Sequence, residues 1–467
     1  MKFKFGKLLT LFFIVVMIAM MFYAYLAVAP YTGAAYVSDL TRASFSMDPF
    51  YGEDEIPERV MLVEAPEDAF FHRLNLIHNA KEEIIFTTYS MLDGVATDLI
   101  VGALLASADR GVDIHLLNNA VSGKMSAHYS DVLAAHENIQ LYFWQPVNLA
   151  SPQSLNANLH DKYMIVDATF MLLGGRNIGD KYFVSEASDE KISLDREILI
   201  YNTDLEFTGS IEEIKDYFLA KVDSKQVSLH EAQMSKENRE KYIALYHDYV
   251  AMLTNEDFDY DAHTVSVNQI TVLTDPLSET KKESRVAYTL MRMLEQSDTV
   301  VLQSPYIALT KPHLDEFAQA VKINGKNVTL LTNSLASTAN LPAYSAYYAD
   351  QEKILATGIS IYEFQSTRQS IHSKTYLFDG RLTAIGSFNL NERSIRSDTE
   401  SLVIIDSEAF YELAYAAIEA QMSQSLRVGE GGEYELNDDV MACPVSFKKQ
   451  ALYWTLGHGL RGLRILF

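Results

Sequence analysis

Apolar positions along the chain fall into two kinds of run. Short, nearly continuous runs such as EEIIFTTYS (82–90) and DTVVLQSPY (298–306) read as strands covered on both faces. Longer runs with apolar residues three and four apart, at 66–80, 96–110, 280–296 and 312–323, read as helices. The two kinds alternate, and the series occurs twice. RVMLVEAP, EEIIFTTYS, VDIHLLNN and IQLYFWQ are answered by VSVNQITVLTD, DTVVLQSPY, NVTLLTNSL and ISIYEFQ, with helices at matching places. Strands alternating with helices predict an α/β fold of two similar lobes, each a mixed or parallel sheet flanked by helices. The predicted organisation is a first lobe at 55–222, a helical connection at 223–262, a second lobe at 263–430 and a tail at 431–467. The connection is polar, and SKENREKYIALYHDYVAML (235–253) is its clearest helix.

One run fits neither kind. Leu8–Ala29 carries no charge, and as a helix it is about 33 Å long, against the ~30 Å hydrocarbon core of a bilayer. It is too long for the apolar part of a cleavable signal, and although Ala27-Val28-Ala29 resembles a cleavage site, Pro30 follows it. Residues 8–29 are therefore expected to be an uncleaved single-pass transmembrane anchor. Lys2, Lys4 and Lys7 precede the run, and no basic residue follows it before Arg42. The positive-inside rule then puts the lobes on the extracytoplasmic side of the cell membrane.

Composition narrows the chemistry. At 467 residues and 48% hydrophobic content the chain can build two cores. A net charge of -24 disfavours a nucleic-acid partner. The single cysteine, Cys443, allows neither an internal disulfide nor a cysteine metal site.

The chemistry lies in HDKYMIVDATFMLLGGRN, which starts at His160, and in its counterpart HSKTYLFDGRLTAIGSFN, which starts at His372. Both contain H-x-K-x4-D-x6-G-x-x-N. The first places His160, Lys162, Asp167, Gly174, Gly175 and Asn177; the second places His372, Lys374, Asp379, Gly386, Ser387 and Asn389. Two such matches at equivalent points of a repeat are very improbable by chance. In each copy the His and Lys are two apart on a strand and share a face. If the two strands meet between the lobes, two imidazoles and two ammonium groups converge. That set repels a metal cation but suits an anion. Lysines and asparagine amides can hold phosphate oxygens, one imidazole can attack phosphorus, and the other can protonate the leaving alkoxide.

The duplicated motif resembles that of the phospholipase D superfamily, over about residues 60–430. The resemblance implies a pseudo-twofold fold with one site between the lobes, a covalent phosphohistidine, and no metal or cofactor. It implies His160 as nucleophile and His372 as general acid and base; the sequence itself is symmetric and assigns neither role. It also implies a glutamate downstream of each motif that orients a histidine, for which Glu197 in DREILIY and Glu400 in DTESLVI stand in place. Asp167 and Asp379 read either as part of the catalytic set or as turn carboxylates. Asn177, Asn389, Ser387 and Gly175 are the expected phosphate contacts, and Gly175 departs from the family's usual serine.

GGRNIGDKYF (174–183) and LLTNSLAST (330–338) resemble the bacterial cardiolipin synthase-like branch. That implies transfer of a phosphatidyl group to the headgroup hydroxyl of phosphatidylglycerol, with phosphatidylethanolamine as a second candidate donor. Hydrolysis of a phospholipid, or less readily of a nucleic acid, is the alternative within the superfamily, and a lipid-binding scaffold with a dead site is the alternative outside it. Arg176, Asp180 and Tyr182 either shape a substrate mouth or cap and pack. From Met441 to Phe467 there is no acidic residue, and Lys448, Lys449, Arg461 and Arg464 alternate with aromatic and aliphatic residues. This tail reads as a segment lying on anionic lipid or as a helix packed on the second lobe, with Gly457, Gly459 and Gly462 weakening a long helix.

Overall fold

A computed structural model describes residues 2–146, 148, 150–184, 191–232, 236–252, 258–277, 282–324, 327–435 and 437–459. The chain forms an α/β fold around two sheets with the same strand order. In the first sheet the order is Val265–Ser266, Glu58–Val63, Glu197–Asn202, Phe170–Gly174, Tyr163–Val166, Glu83–Thr88, Asp113–Asn119, Ile139–Trp144 and Val227–Leu229. In the second it is Gln269–Thr274, Ser401–Asp406, Leu382–Gly386, Thr375–Phe378, Val300–Gln303, Val328–Asn333, Ser360–Phe364 and Ser425–Val428. Apart from the short edge strand Val265–Ser266, the second sheet repeats the first strand for strand. The three strands joined through helices run parallel in both, and their neighbours run antiparallel.

The sheets meet face to face. Ile165, Met171, Leu173, Ile198 and Ile200 of one share a buried apolar layer with Ile270, Ile385, Val403 and Ile405 of the other. Helices cover the outer faces over separate cores. Burial on both faces is why the strands read as apolar runs without alternation.

The helical connection expected at 223–262 packs against the first lobe, and the sheet of that lobe also takes a strand from beyond it. Val227–Leu229 and Val265–Ser266 lie at the two edges of its sheet. Helix Lys236–Met252 packs on helix Val95–Asp109, where Gly102 lets the two backbones approach: a Cβ there would stand 2.3 Å from the Tyr242 carbonyl oxygen. Tyr242 and Tyr246 are buried, which gives this polar-looking helix its anchor.

The N-terminal helix runs Lys2–Val28, and its apolar stretch is long enough to cross a membrane. The side chain of Asn156 donates to its Ala27 carbonyl oxygen at 2.8 Å, tying the helix end to the loop that leads to His160. In the tail, Phe447–Gly459 forms a helix despite Gly457. It packs on helix Leu341–Leu355, with the Tyr453 ring 5.3 Å from that of Tyr348, while Phe447 and Leu452 stay exposed. Arg461, Arg464 and Gly462 lie outside the described residues.

Candidate active site

Each motif enters the site at the end of a strand. Lys162 precedes strand Tyr163–Val166 and Lys374 precedes Thr375–Phe378, both with buried side chains. Each ammonium donates to the carbonyl oxygen of its own motif's histidine. Lys162 also lies 5.3 Å from the centre of the Tyr89 ring.

The chain then crosses between lobes. Leu159 bridges to Thr399, and the His160 N–H donates to Thr399 Oγ1 at 3.1 Å. In the mirror arrangement Gln369–Ile371 pairs with Ile192–Leu194, and the His372 N–H donates to the Leu194 carbonyl oxygen at 2.6 Å. Each histidine is thus delivered to a carboxylate of the other lobe. His160 Nδ1 donates to Glu400 Oε2 at 3.0 Å, and His372 Nδ1 donates to Asp195 Oδ2. Nε2 is then the reactive nitrogen of each ring, that of His372 lying 3.3 Å from Lys374 Nζ.

Glu197 is therefore not the orienting carboxylate. It is buried between two guanidiniums, 2.5 Å from Arg73 and 3.1 Å from Arg176. Sheet register gives the reason. Gly174 pairs with Glu197, whereas the equivalent Gly386 pairs with Leu402. Glu197 is thus the counterpart of Leu402, and Asp195 is the counterpart of Glu400.

Register also accounts for Gly175. Ser387 Oγ donates to Glu400, but a Cβ at Gly175 would stand 2.4 Å from Asp195 Oδ1. Aspartate is one methylene shorter than glutamate, and Asp195 fills the space a serine would take. Serine with glutamate in one half is replaced by glycine with aspartate in the other.

Asp167 and Asp379 stand at the far ends of the motif strands, away from the histidines, and are turn carboxylates. Both adopt the left-handed backbone that Asp tolerates, with φ of 53° and 52°. Asp167 accepts the N–H groups of Lys81, Glu82 and Glu83 at 2.8, 2.8 and 3.0 Å; Asp379 accepts those of Asp298 and Thr299 at 2.7 and 2.8 Å. Asp180 caps helix Val95–Asp109 by accepting the Ala96 N–H at 2.8 Å. Arg176 is buried and donates to the carbonyl oxygens of Asp195 and Tyr182, both at 2.6 Å. Tyr182 does reach the site: its ring lies edge-on to His372 at 5.7 Å, as that of Tyr89 does to His160 at 5.5 Å. Asn177 Nδ2 donates to the Tyr182 hydroxyl at 3.1 Å, and the side-chain oxygens of Asn177 and Asn389 are buried without a partner among the described residues.

Two further groups shape the site. Asp161 is buried against Lys221 at 2.6 Å and accepts from Thr399, next to Glu400. Its place inside the motif, beside His160, was the available signal. Asp195 carried a weaker one, two residues before the glutamate that the resemblance favoured.

Electrostatics separate the halves. Burial, with Lys162 adding to it, holds His160 well below the usual imidazole range; burial and Lys374 bring His372 down to about 4. Burial brings Lys162 to about 7, reinforced by Lys374, and Lys374 to about 8. The carboxylates diverge. Burial raises Asp195, but His372 and Lys374 outweigh it and hold it below the usual carboxylate range. Burial leaves Glu400 raised.

The family described as "Cardiolipin synthase, PLD-like domain" matches residues 74–218 and again 290–422, more than half of the chain. The chain belongs to this family. As a member it is an enzyme of the phospholipase D superfamily, in the cardiolipin synthase-like branch. Among its relatives, an uncharacterized protein of Helicobacter pylori is 26% identical, covering 84% of this chain and 87% of that one. Cardiolipin synthase C of Escherichia coli is also 26% identical, covering 74% and 81%. The structure of a phosphatidylserine synthase from Haemophilus influenzae superposes with a TM-score of 0.62 at 14% identity, covering 87% of this chain and 95% of that one, which shows the shared fold.

Proposed function

We propose that this family member is a membrane-anchored phosphatidyltransferase of cardiolipin synthase type. Family membership and the cardiolipin synthases among its relatives support phosphatidyl transfer, and phosphatidylglycerol is the substrate we assign. The observation that carries the mechanism is the crossed pairing of His160 with Glu400 and His372 with Asp195.

His160, kept neutral by burial, attacks the phosphorus of the donor with Nε2. The P–O bond to the glycerol headgroup breaks as the N–P bond forms. Lys162 and Lys374 balance charge on the nonbridging oxygens. Glycerol leaves with the proton of His372 Nε2. The headgroup hydroxyl of a second phosphatidylglycerol then gives its proton to His372, its oxygen attacks phosphorus, and the N–P bond to His160 breaks. The products are cardiolipin and glycerol. The carboxylates suit these roles. The anionic phosphate of a bound donor offsets the Lys374 charge that helps bring His372 to about 4, and ionised Asp195 then supports its imidazolium; the raised Glu400 gives His160 less support as a cation. Asn177 and Asn389 reach the phosphate once their carboxamides turn an N–H toward it. The lysines ahead of the anchor support an extracytoplasmic position for the lobes.

Lipid analysis of a bacterium without cardiolipin synthases of its own, expressing this chain, tests the reading. Cardiolipin is expected. Phosphatidic acid accumulating without cardiolipin would assign hydrolysis instead.

A further inference from the structure

A cavity of about 180 Å³ lies in the helical layer of the second lobe, and neither motif histidine lines it. Leu290 and Leu294 of helix Arg285–Gln296 line it, with Leu309, Phe317, Phe388 and Leu390. Cavities of roughly 150 Å³ with such walls accept a six-carbon hydrocarbon, so this one has room for the end of an acyl chain. Its charged lining is mostly committed. His313 pairs with Glu392 at 2.8 Å, and Glu316 with Arg292 at 3.3 Å.

A further wall is formed by Ala34, Ala35, Val37 and Arg42, from the segment that leaves the apolar helix. Gly33, with a φ of 95°, turns the chain there. The Ser284 N–H donates to the Tyr36 carbonyl oxygen at 2.8 Å, and the side chains of Ser38 and Thr41 both donate to Glu283 at 2.6 Å. This pinned wall turns apolar side chains outward: Leu40 is 78% exposed and Tyr36 45%. Arg42 is exposed at the cavity, its guanidinium 5.5 Å from the Tyr288 ring centre, and no carboxylate pairs with it among the described residues. Exposed apolar residues beside an unpaired cation, a few residues beyond a membrane-crossing helix, match the boundary between headgroups and acyl chains.

We propose that this cavity is a phospholipid site, taking one acyl chain against Leu290 and Leu294 while Arg42 holds the lipid phosphate. Phe388 and Leu390, the chain neighbours of the motif asparagine Asn389, both line it. The site is separate from the histidines. It rests on the helix lying in a bilayer and not on which reaction the enzyme runs.

The test uses the full chain in vesicles of phosphatidylglycerol and phosphatidylcholine, with a phosphatidylglycerol bearing a diazirine at the end of one acyl chain. After irradiation, adducts are located by mass spectrometry. Adducts on Leu290, Met291 and Leu294 are expected. They should fall to background in Ala287→Phe, which fills the partly exposed mouth, and weaken in Arg42→Glu, whose exposed position spares the fold; adducts on the N-terminal helix should not change. Labelling confined to that helix and the catalytic cleft would overturn the proposal. So would unchanged labelling in Arg42→Glu, or labelling by a diazirine fatty acid but not by the phospholipid. Since labelling needs no turnover, its failure is distinct from failure of the transferase reading.

Discussion

At the residue scale the site is defined by which carboxylate meets which imidazole. Asp195 and Glu197 are two apart, and only register separates them. Asp195→Asn keeps the shape but removes the charge behind His372, so kcat should fall about 100- to 10,000-fold with the fold retained. Glu197→Gln acts on a different property. It leaves Arg73 and Arg176 buried with their shared charge gone, at a stability cost of about 3–5 kcal/mol. Kinetics and thermal unfolding of the two variants side by side separate these outcomes; a kcat loss confined to Glu197→Gln would reverse the assignment. The lysines give a pH dependence. Their depressed values mean that charge is present below about 7 for Lys162 and about 8 for Lys374, and is lost as pH rises through that range. KM should therefore climb between pH 7 and 9, and a flat KM would mean that neither lysine binds phosphate.

At the element scale, what the motif carries besides chemistry becomes visible. Asp167 lashes the turn after Tyr163–Val166 to the start of Glu83–Thr88 through three backbone N–H groups. Asp167→Ala should lower stability by about 1–2 kcal/mol and leave the kcat of the folded enzyme near that of the parent, read by denaturant unfolding and by turnover per folded molecule. The eight strands named from apolar runs were legible because burial on two faces writes such runs, and the helices at 66–80, 96–110, 280–296 and 312–323 because apolar residues recur three and four apart. So was the double motif, because its spacing lies within single strands and turns. Three features were not legible. The polar helix Lys236–Met252 looks like a linker because its contact with the first lobe rests on Gly102 and two buried tyrosines. Strand Val227–Leu229 is too short to leave a pattern. The pairing of Gly175 with Asp195 links positions twenty residues apart that only the sheet brings together, since 195 − 175 = 20.

At the scale of the whole molecule, neither lobe completes a site. Each histidine is oriented from the opposite lobe, and the sheets share one apolar layer. Unfolding should therefore be a single calorimetric transition, and two resolved transitions would show that the lobes stand independently. The end of the apolar helix touches the loop before His160, so the path from that helix to the motif histidine is short. The central claim is that the two lobes make one site in which His160 carries the phosphatidyl group. Rapid acid-free quenching of the enzyme with labelled phosphatidylglycerol, followed by peptide mass spectrometry, tests it most directly. The account predicts a phosphatidyl adduct on His160, absent in His160→Ala. An adduct on His372 alone, or steady turnover with no adduct on either histidine, would contradict it.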